Sequence, residues 1–409
     1  MDTTPVPPRH PGTAGEVLAV FGRLGLTSFG GPVAHLGYFR TAFVTRRGWL
    51  SDRAFADLVA FCQFLPGPAS SQVGMAVGWQ RAGVLGLLAA WAGFTLPSAL
   101  LMLAFAYGVG AAGDLTGAGW IVGLKAAAVA VVAQAVLGMA RTLASTRATA
   151  TVAGGAVVVL LLAPAAGVPL PLVQVGVIVA AGAAGLRWVT PSSDTVDDDR
   201  LAAPARTRTA VTCLAVFGLL LAGLPVLAAL TDGGAAAFAD TFYRAGSLVF
   251  GGGHVVLPLL QAETAGTVTH DQFLAGYGAA QALPGPLFTF SAYLGALSTA
   301  GPGGALGAAI ALVAVFLPSA LLVTGALPFW DRLRRAHGAR RALAGVNAGV
   351  VGLLAAAFYD PVFTQGVLAA PSPPSALALA LAAYVALTTW KAPPWAVVIA
   401  SATLGALAL

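Results

Sequence analysis

The chain has 409 residues, of which 58% are apolar and only 9% charged, and its mean hydropathy is +0.85. A soluble domain carries roughly 25% charged residues, so the composition excludes a soluble globular fold and implies an integral membrane protein. The net charge of +6 belongs to short loops and does not point to nucleic acid as a partner.

Residues 1–13 are polar and proline-rich, with no apolar core before Val17, so no signal peptide is expected. The first half then reads Phe21-x-Arg23-x-Gly25-x-x-x-Phe29-Gly30-Gly31, followed by Gln63-Phe64-Leu65-Pro66-Gly67-Pro68. About two hundred residues later the pattern recurs. It reads Phe242-x-Arg244-x-Gly246-x-x-x-Phe250-Gly251-Gly252, then Gln281-Ala282-Leu283-Pro284-Gly285-Pro286. A third echo sets Leu96-Pro97-Ser98-Ala99-Leu100 against Leu317-Pro318-Ser319-Ala320-Leu321. Glycine and proline break helices. At membrane depth such a break is tolerated only where it lines a polar cavity or is packed inside protein.

Full spans are expected at Ala82–Tyr107, Gly119–Ala140, Thr149–Ala166 and Leu170–Trp188. Their counterparts are Gly303–Leu327, Ala342–Phe358, Ser375–Trp390 and Pro394–Leu409. Each is near the ~20 residues that a span requires. A polar stretch from Thr190 to Arg208 separates the halves, and the span after it, Ala210–Leu230, has no partner. The expected organisation is a first repeat over residues 1–190, a cytoplasmic linker and extra helix over 191–231, and a second repeat over 232–409.

Cytoplasmic loops are enriched in Lys and Arg. On that rule Arg81, Arg141, Arg147, Arg187 and the cluster Arg332–Arg341 lie inside, whereas Asp114, Asp232, Asp360 and the C-terminus lie outside. The unpaired helix inverts the second repeat, and inverted repeats are a common plan of secondary transporters. Arg40, Arg46, Arg47 and Arg53 connect the two broken segments of the first half and also belong inside. The broken segments are therefore read as re-entrant, giving nine full spans and four re-entrant elements. The rival count makes every broken segment a full span, thirteen in all. The expected fold class is an all-α membrane protein of two inverted-topology repeats with broken helices, joined by one extra transmembrane helix.

The duplicated breaks supply the candidate site. A half-helix starting at Gly67 or Gly285 would point free N–H groups and a positive dipole end into the protein, as an anion site does. Gln63, Ser70, Ser71 and Gln72 flank the first turn, and Gln281, Thr289 and Ser291 the second. The alternative is a kinked packing helix whose polar residues satisfy the freed backbone. Gly30, Gly31, Gly251 and Gly252 offer bare backbone at a second pair of bends. Arg23 and Arg244 stand about two turns before those bends. Arginine is a planar donor suited to oxyanions; the competing reading has each Arg snorkel, or pair with Glu16 or Asp240. Lys125 and Asn347 occupy matching places in paired spans, with snorkelling an alternative for Lys125. His35 and His254 near the glycine bends are read as hydrogen-bonded structural residues, and Asp57 as a local cap or pair. Cys62 and Cys213 read as small buried hydrophobes. No cofactor is expected. No Walker loop, metal cluster or nucleophile triad is present in the sequence, so an enzyme is not expected.

These motifs together resemble the chromate ion transporter family in its long form with two homologous domains. The resemblance is carried by residues 251–260 and 276–290 in the second half. In the first half it rests on Ser28-Phe29-Gly30-Gly31-Pro32, Cys62-Gln63-Phe64-Leu65-Pro66-Gly67-Pro68 and Gly93-Phe94-Thr95-Leu96-Pro97-Ser98. It implies an inner-membrane secondary transporter that expels chromate and so confers resistance. Gln72 departs from the symmetry, with Phe290 at the matching place. Sulfate or another tetrahedral anion is the alternative substrate, and a gated anion channel the alternative mechanism. Beyond the oxyanion and the lipid bilayer, a second copy of the chain, as a homodimer, is a candidate partner.

Overall fold

A computed structural model describes residues 12–111, 118–189, 207–231, 234–250 and 256–408. Gly251, Gly252 and His254, the linker over 191–206 and the outer loop at Asp114 lie outside the described residues. Among the described residues the chain is helical, without a strand.

In the first repeat, α1 (Ala14–Thr27) starts at a Thr13 cap whose hydroxyl accepts from the Glu16 amide. It ends at the Ser28–Gly30 break, where Gly30 takes φ +98°, and α2 (Gly31–Arg40) then leads into a π-helical turn over Thr41–Arg46. After α3 (Asp52–Phe64) comes the first Pro-Gly-Pro turn. The next helical stretch, α4 (Ala69–Ala111), leaves helical geometry at Ala82 and Gly83. On either side of that point Gly78 and Gly86 press backbone to backbone. Eight positions along a straight helix would be ~12 Å apart, so the chain doubles back into a hairpin: a half-helix over 69–81 and a long arm over 83–111. The repeat closes with α5 (Gly119–Leu143), α6 (Arg147–Leu162) and α7 (Leu170–Trp188). Then comes α8 (Thr207–Leu230).

The second repeat runs the same course. It comprises α9 (Gly234–Leu248), α10 (Val256–Thr264), α11 (His270–Ala282), the second Pro-Gly-Pro turn and the half-helix α12 (Phe290–Leu297). Next are α13 (Gly304–Ala326), α14 (Trp330–Arg335), α15 (His337–Ala357), α16 (Pro373–Thr388) and α17 (Pro394–Ala408). Here Gly295 meets Gly307, so α12 and α13 form the same hairpin as the two arms of α4.

The ends of the broken segments converge. Gly12 N–H donates to the Arg81 carbonyl at 3.0 Å. The Arg81 guanidinium clasps Glu16 at 3.1 and 3.2 Å and lies 4.8 Å over the Trp49 ring. The start of α1, the start of α3 and the end of the half-helix therefore share one face. A thirteen-span chain would put Trp49 and Arg81 on opposite faces, so the hairpins are re-entrant. In the second repeat Thr299 N–H reaches the Thr267 carbonyl at 3.3 Å and Gly301 packs against Phe238. The same closure is made there without a cation.

The helices do not all match the expected spans. Five of the nine expected spans lie in helices long and apolar enough to cross a membrane. The four helices of the hairpins α6–α7 and α16–α17 are shorter, between 15 and 19 residues. The basic cluster is not a loop either: α15 begins at His337, so Arg340 and Arg341 lie on its first turns.

The repeats interlock. Helix α17 packs along α5 and, reciprocally, α7 along α15; α16 and α6 repeat the exchange. Small residues allow it, as they do between bilayer helices. Gly123 meets the Ser401 backbone and Gly345 the Ala181 backbone; Gly405 meets Gly119, and Gly185 meets Arg341. Outside this core, Leu100, Leu219, Leu230 and Leu306 are each more than 60% exposed, as side chains solvated by lipid are. Helix α8 buries only Ala210 and lies at the rim against α9 and α13.

Candidate functional site

Each Pro-Gly-Pro turn is held by the glycine-bend segment of the other repeat. Gly67 N–H donates to the Val249 carbonyl at 2.6 Å, and Gly285 N–H to the Ser28 carbonyl at 2.9 Å. Ser28 and Val249 are equivalent, each preceding the phenylalanine of its glycine bend. Such reciprocal contacts are those of a two-fold axis. Both glycines require their positive φ, +122° at Gly67 and +93° at Gly285.

This pairing changes the expected donors. The amides of Gly67 and Gly285 are spent on backbone carbonyls and do not face an anion. In the half-helix of α4 the first internal bond is Gln72 N–H to Pro68 at 2.9 Å. The amides of Ala69, Ser70 and Ser71 are thus the ones left without an intrahelical acceptor. In the second repeat Thr289 N–H closes on Pro286 at 3.0 Å, leaving those of Leu287 and Phe288.

Hydroxyls gather around these ends. Ser98 Oγ and Thr289 Oγ1 are 2.8 Å apart. The equivalent Ser319 accepts from Gln72 Nε2 at 3.5 Å, and the same nitrogen donates to the Pro66 carbonyl at 2.7 Å. Each Leu-Pro-Ser motif thus delivers its serine to the half-helix of the other repeat. The repetition of that motif was the available signal for Ser98 and Ser319, which were not singled out as site residues. Ser28 Oγ, Ser71 Oγ and Thr95 Oγ1 are buried and make no hydrogen bond within the protein. Ser70 Oγ lies 3.3 Å from His35 Nδ1, the hydrogen bond expected of a structural histidine. Asp57 Oδ1 accepts from Trp330 Nε1 at 2.9 Å, a pairing across the repeats. The arrangement offers many uncharged donors at the mid-depth of α4 and α13. No group of three metal-ligating side chains occurs among the described residues.

The charged candidates separate. Arg244 is half-buried between two carboxylates, Asp240 on its own helix and Glu263 of α10 at 3.5 Å. Arg23, its equivalent, is exposed and has no ion pair among the described residues. Glu16, expected as a partner for Arg23, is taken by Arg81. Lys125 does not snorkel: it is 5% exposed and pairs with Asp271 of α11 at 2.7 Å. Asn347, its equivalent, is half-buried with an unpaired Oδ1.

The glutamines also part company. Gln63 is exposed, whereas Gln281 is 9% exposed with no hydrogen bond at Nε2. Gln281 joins Gly30 and Gly31 in lining a cavity of about 540 Å³. Gln134 and Lys391 line it too, two residues not singled out as site residues because neither belongs to a repeated motif.

Comparison with known proteins bears on this architecture. A chromate transport protein of Pseudomonas aeruginosa is 30% identical over 383 residues, covering 88% of this chain and 83% of the relative. A probable chromate transport protein of Synechococcus elongatus is 26% identical, covering 92% of this chain and 95% of the relative. One from Cupriavidus metallidurans is 25% identical, covering 84% and 82%. No solved structure matches. The model of a single family, described as chromate transporter, matches twice, over residues 15–186 and 235–406. Those two stretches are the two interlocked repeats, with α8 falling between them, and the chain belongs to the chromate transporter family.

Proposed function

We propose that this chain is a secondary transporter that exports chromate across the inner membrane, thereby conferring chromate resistance, and that its repeats have opposite orientation. Family membership supports chromate as the substrate class and a transporter rather than an enzyme. The single observation that carries the mechanism is the reciprocal node. Each half-helix amino end receives the Leu-Pro-Ser serine of the other repeat, Ser98 at Thr289 and Ser319 at Gln72. Helix amino ends and hydroxyls bind negative charge without a fixed counter-cation, which allows the anion to leave again. Gln63, Gln281 and the glycine bends serve the same path, and Arg23 supplies an unneutralised cation on the approach to it.

Direction follows from electrical work. One charge through 100 mV is worth about 2.3 kcal/mol, so an inside-negative membrane favours loss of a dianion by about twice that. The basic faces of Arg40–Arg53 and Arg147 support an inner location for both hairpin mouths of the first repeat and for the α5–α6 loop. An odd helix between the repeats then inverts the second. Sulfate, another tetrahedral dianion, would meet the same donors.

Uptake of labelled chromate into inverted membrane vesicles, with imposed potentials and competing sulfate, tests this reading. Chromate should enter, respond to potential and accumulate against its gradient when a second ion is supplied. Flux that only follows the chromate gradient would make the chain a channel, and no flux would overturn the reading.

A further inference from the structure

We propose that the cavity at the amino end of α2 is the cytoplasm-facing loading site for the oxyanion, with Lys391 and Gln281 as its side-chain ligands. The proposal rests on the transport reading above and locates where the anion first binds.

The cavity measures about 540 Å³, within the usual range for a small-molecule site. Its floor is the glycine bend. Gly30 caps α2 without any side-chain hydrogen bond, and Pro32 removes one competing amide, so the Gly31 amide and the dipole of a ten-residue helix face outward. A helix amino end alone is not a site, but Gln281 adds an independent sign. It is nine-tenths buried, lines the cavity, and its amide nitrogen has no partner. The Tyr277 side chain is hydrogen-bonded to Gln281. A buried donor without an acceptor costs about 1–3 kcal/mol, and an anion removes that cost.

The walls carry one sign of charge. Among the described residues Lys391, in the loop between α16 and α17, is the one charged residue lining the cavity, and no carboxylate lines it. Gln134 of α5 adds a neutral donor and acceptor, and the Trp395 ring packs against that of Phe29 with centroids 6.0 Å apart in the cavity wall. In the second repeat the helix equivalent to α2 is α10, described from Val256 onward. There α10 packs against α7 and α15, and Gln174 Nε2 donates to the Pro258 carbonyl at 3.1 Å. Ala356 stands where Gln134 stands in the first repeat. The described residues of α10 are thus packed against helices, whereas α2 lines a cavity.

Chromate absorbs where tryptophan emits, so bound chromate quenches a nearby tryptophan. Full-length protein in nanodiscs, titrated with chromate, should show saturable quenching that is diminished in Trp395→Phe and reversed by sulfate. Lys391→Gln and Gln281→Leu should each raise the half-saturation concentration about tenfold or more. Lys391→Arg should keep it near wild type, and Arg40→Gln, which does not line the cavity and pairs with Asp52 in an exposed ion pair, should not change it. An unchanged melting temperature guards against misfolding. Equal half-saturation in wild type, Lys391→Gln and Gln281→Leu would overturn the loading site. Vesicle flux is read separately: wild-type transport that survives both substitutions unaltered sinks this site and leaves the transport reading standing, whereas saturable binding without any flux does the reverse.

Discussion

Lys125 Nζ lies 2.7 Å from Asp271 Oδ1, tying α5 of the first repeat to α11 of the second. The same two places seen through the symmetry hold Asn347 and Arg53, which cannot repeat the bond. Breaking a buried pair by removing one partner costs about 3–5 kcal/mol. The lower end applies here because the Asp271 side chain is 29% exposed. Lys125→Met should therefore lower the melting temperature of the detergent-solubilised protein clearly. Lys125→Met combined with Asp271→Leu should cost less than Lys125→Met alone. A double variant as damaged as the sum of its parts would mean that the two side chains act independently.

Gly67 fits only without a side chain. A Cβ there would press on Ser319 Oγ and lie 2.7 Å from Gln72 Nε2, at a φ of +122°. Gly67→Ala should abolish chromate flux. Because the nearest obstacle is a hydroxyl of the other repeat, adding Ser319→Ala should restore part of the folding yield. The left-handed strain, about 1–2 kcal/mol, remains in the double variant. No recovery at all would place the damage in the backbone alone.

The repeated arginines should behave differently. Arg244→Gln leaves Asp240 and Glu263 facing each other without their shared cation, so thermal stability should fall. Arg23→Gln removes an exposed cation and should spare stability while reducing the rate of chromate entry into inverted vesicles. Equal losses of stability would contradict the two environments described.

Topology is checked by labelling single cysteines in a background lacking Cys62 and Cys213. Gly48→Cys and Thr146→Cys should react only from the cytoplasm. Thr267→Cys and Thr299→Cys, at the matching closure of the second repeat, should react only from outside. Gly48 and Thr299 reporting the same side would refute the inversion.

Much of the architecture was legible because glycine and proline act locally. The breaks at Gly30, Gly67 and Gly285, the duplication and the unpaired helix could all be read along the chain. So could the re-entrant hairpins, since Arg40–Arg53 and Arg81 carry the sidedness signal. The exchange of α7 and α17 between repeats could not be read, because it rests on which Gly faces which backbone across more than two hundred residues. Equivalent positions also diverged. Gln63 and Gln281 share a motif, and so do Arg23 and Arg244, yet their surroundings come from helices whose sequences have drifted apart. Lys391 belongs to no motif and could not be read as a site residue, since its partners in the cavity come from three other segments.

The exchange of helices has a consequence for biosynthesis. When the ribosome has released the first repeat, the face of α5 that will receive Ser401 has no occupant, and Lys125 has yet to meet Asp271. A lone cation inside a bilayer is expensive. The first repeat therefore enters the membrane as an unfinished half and is completed only when the last helix, α17, has been inserted beside it. Truncation before α17 should yield a product recognised as defective by membrane proteases, although every residue of the first repeat is present.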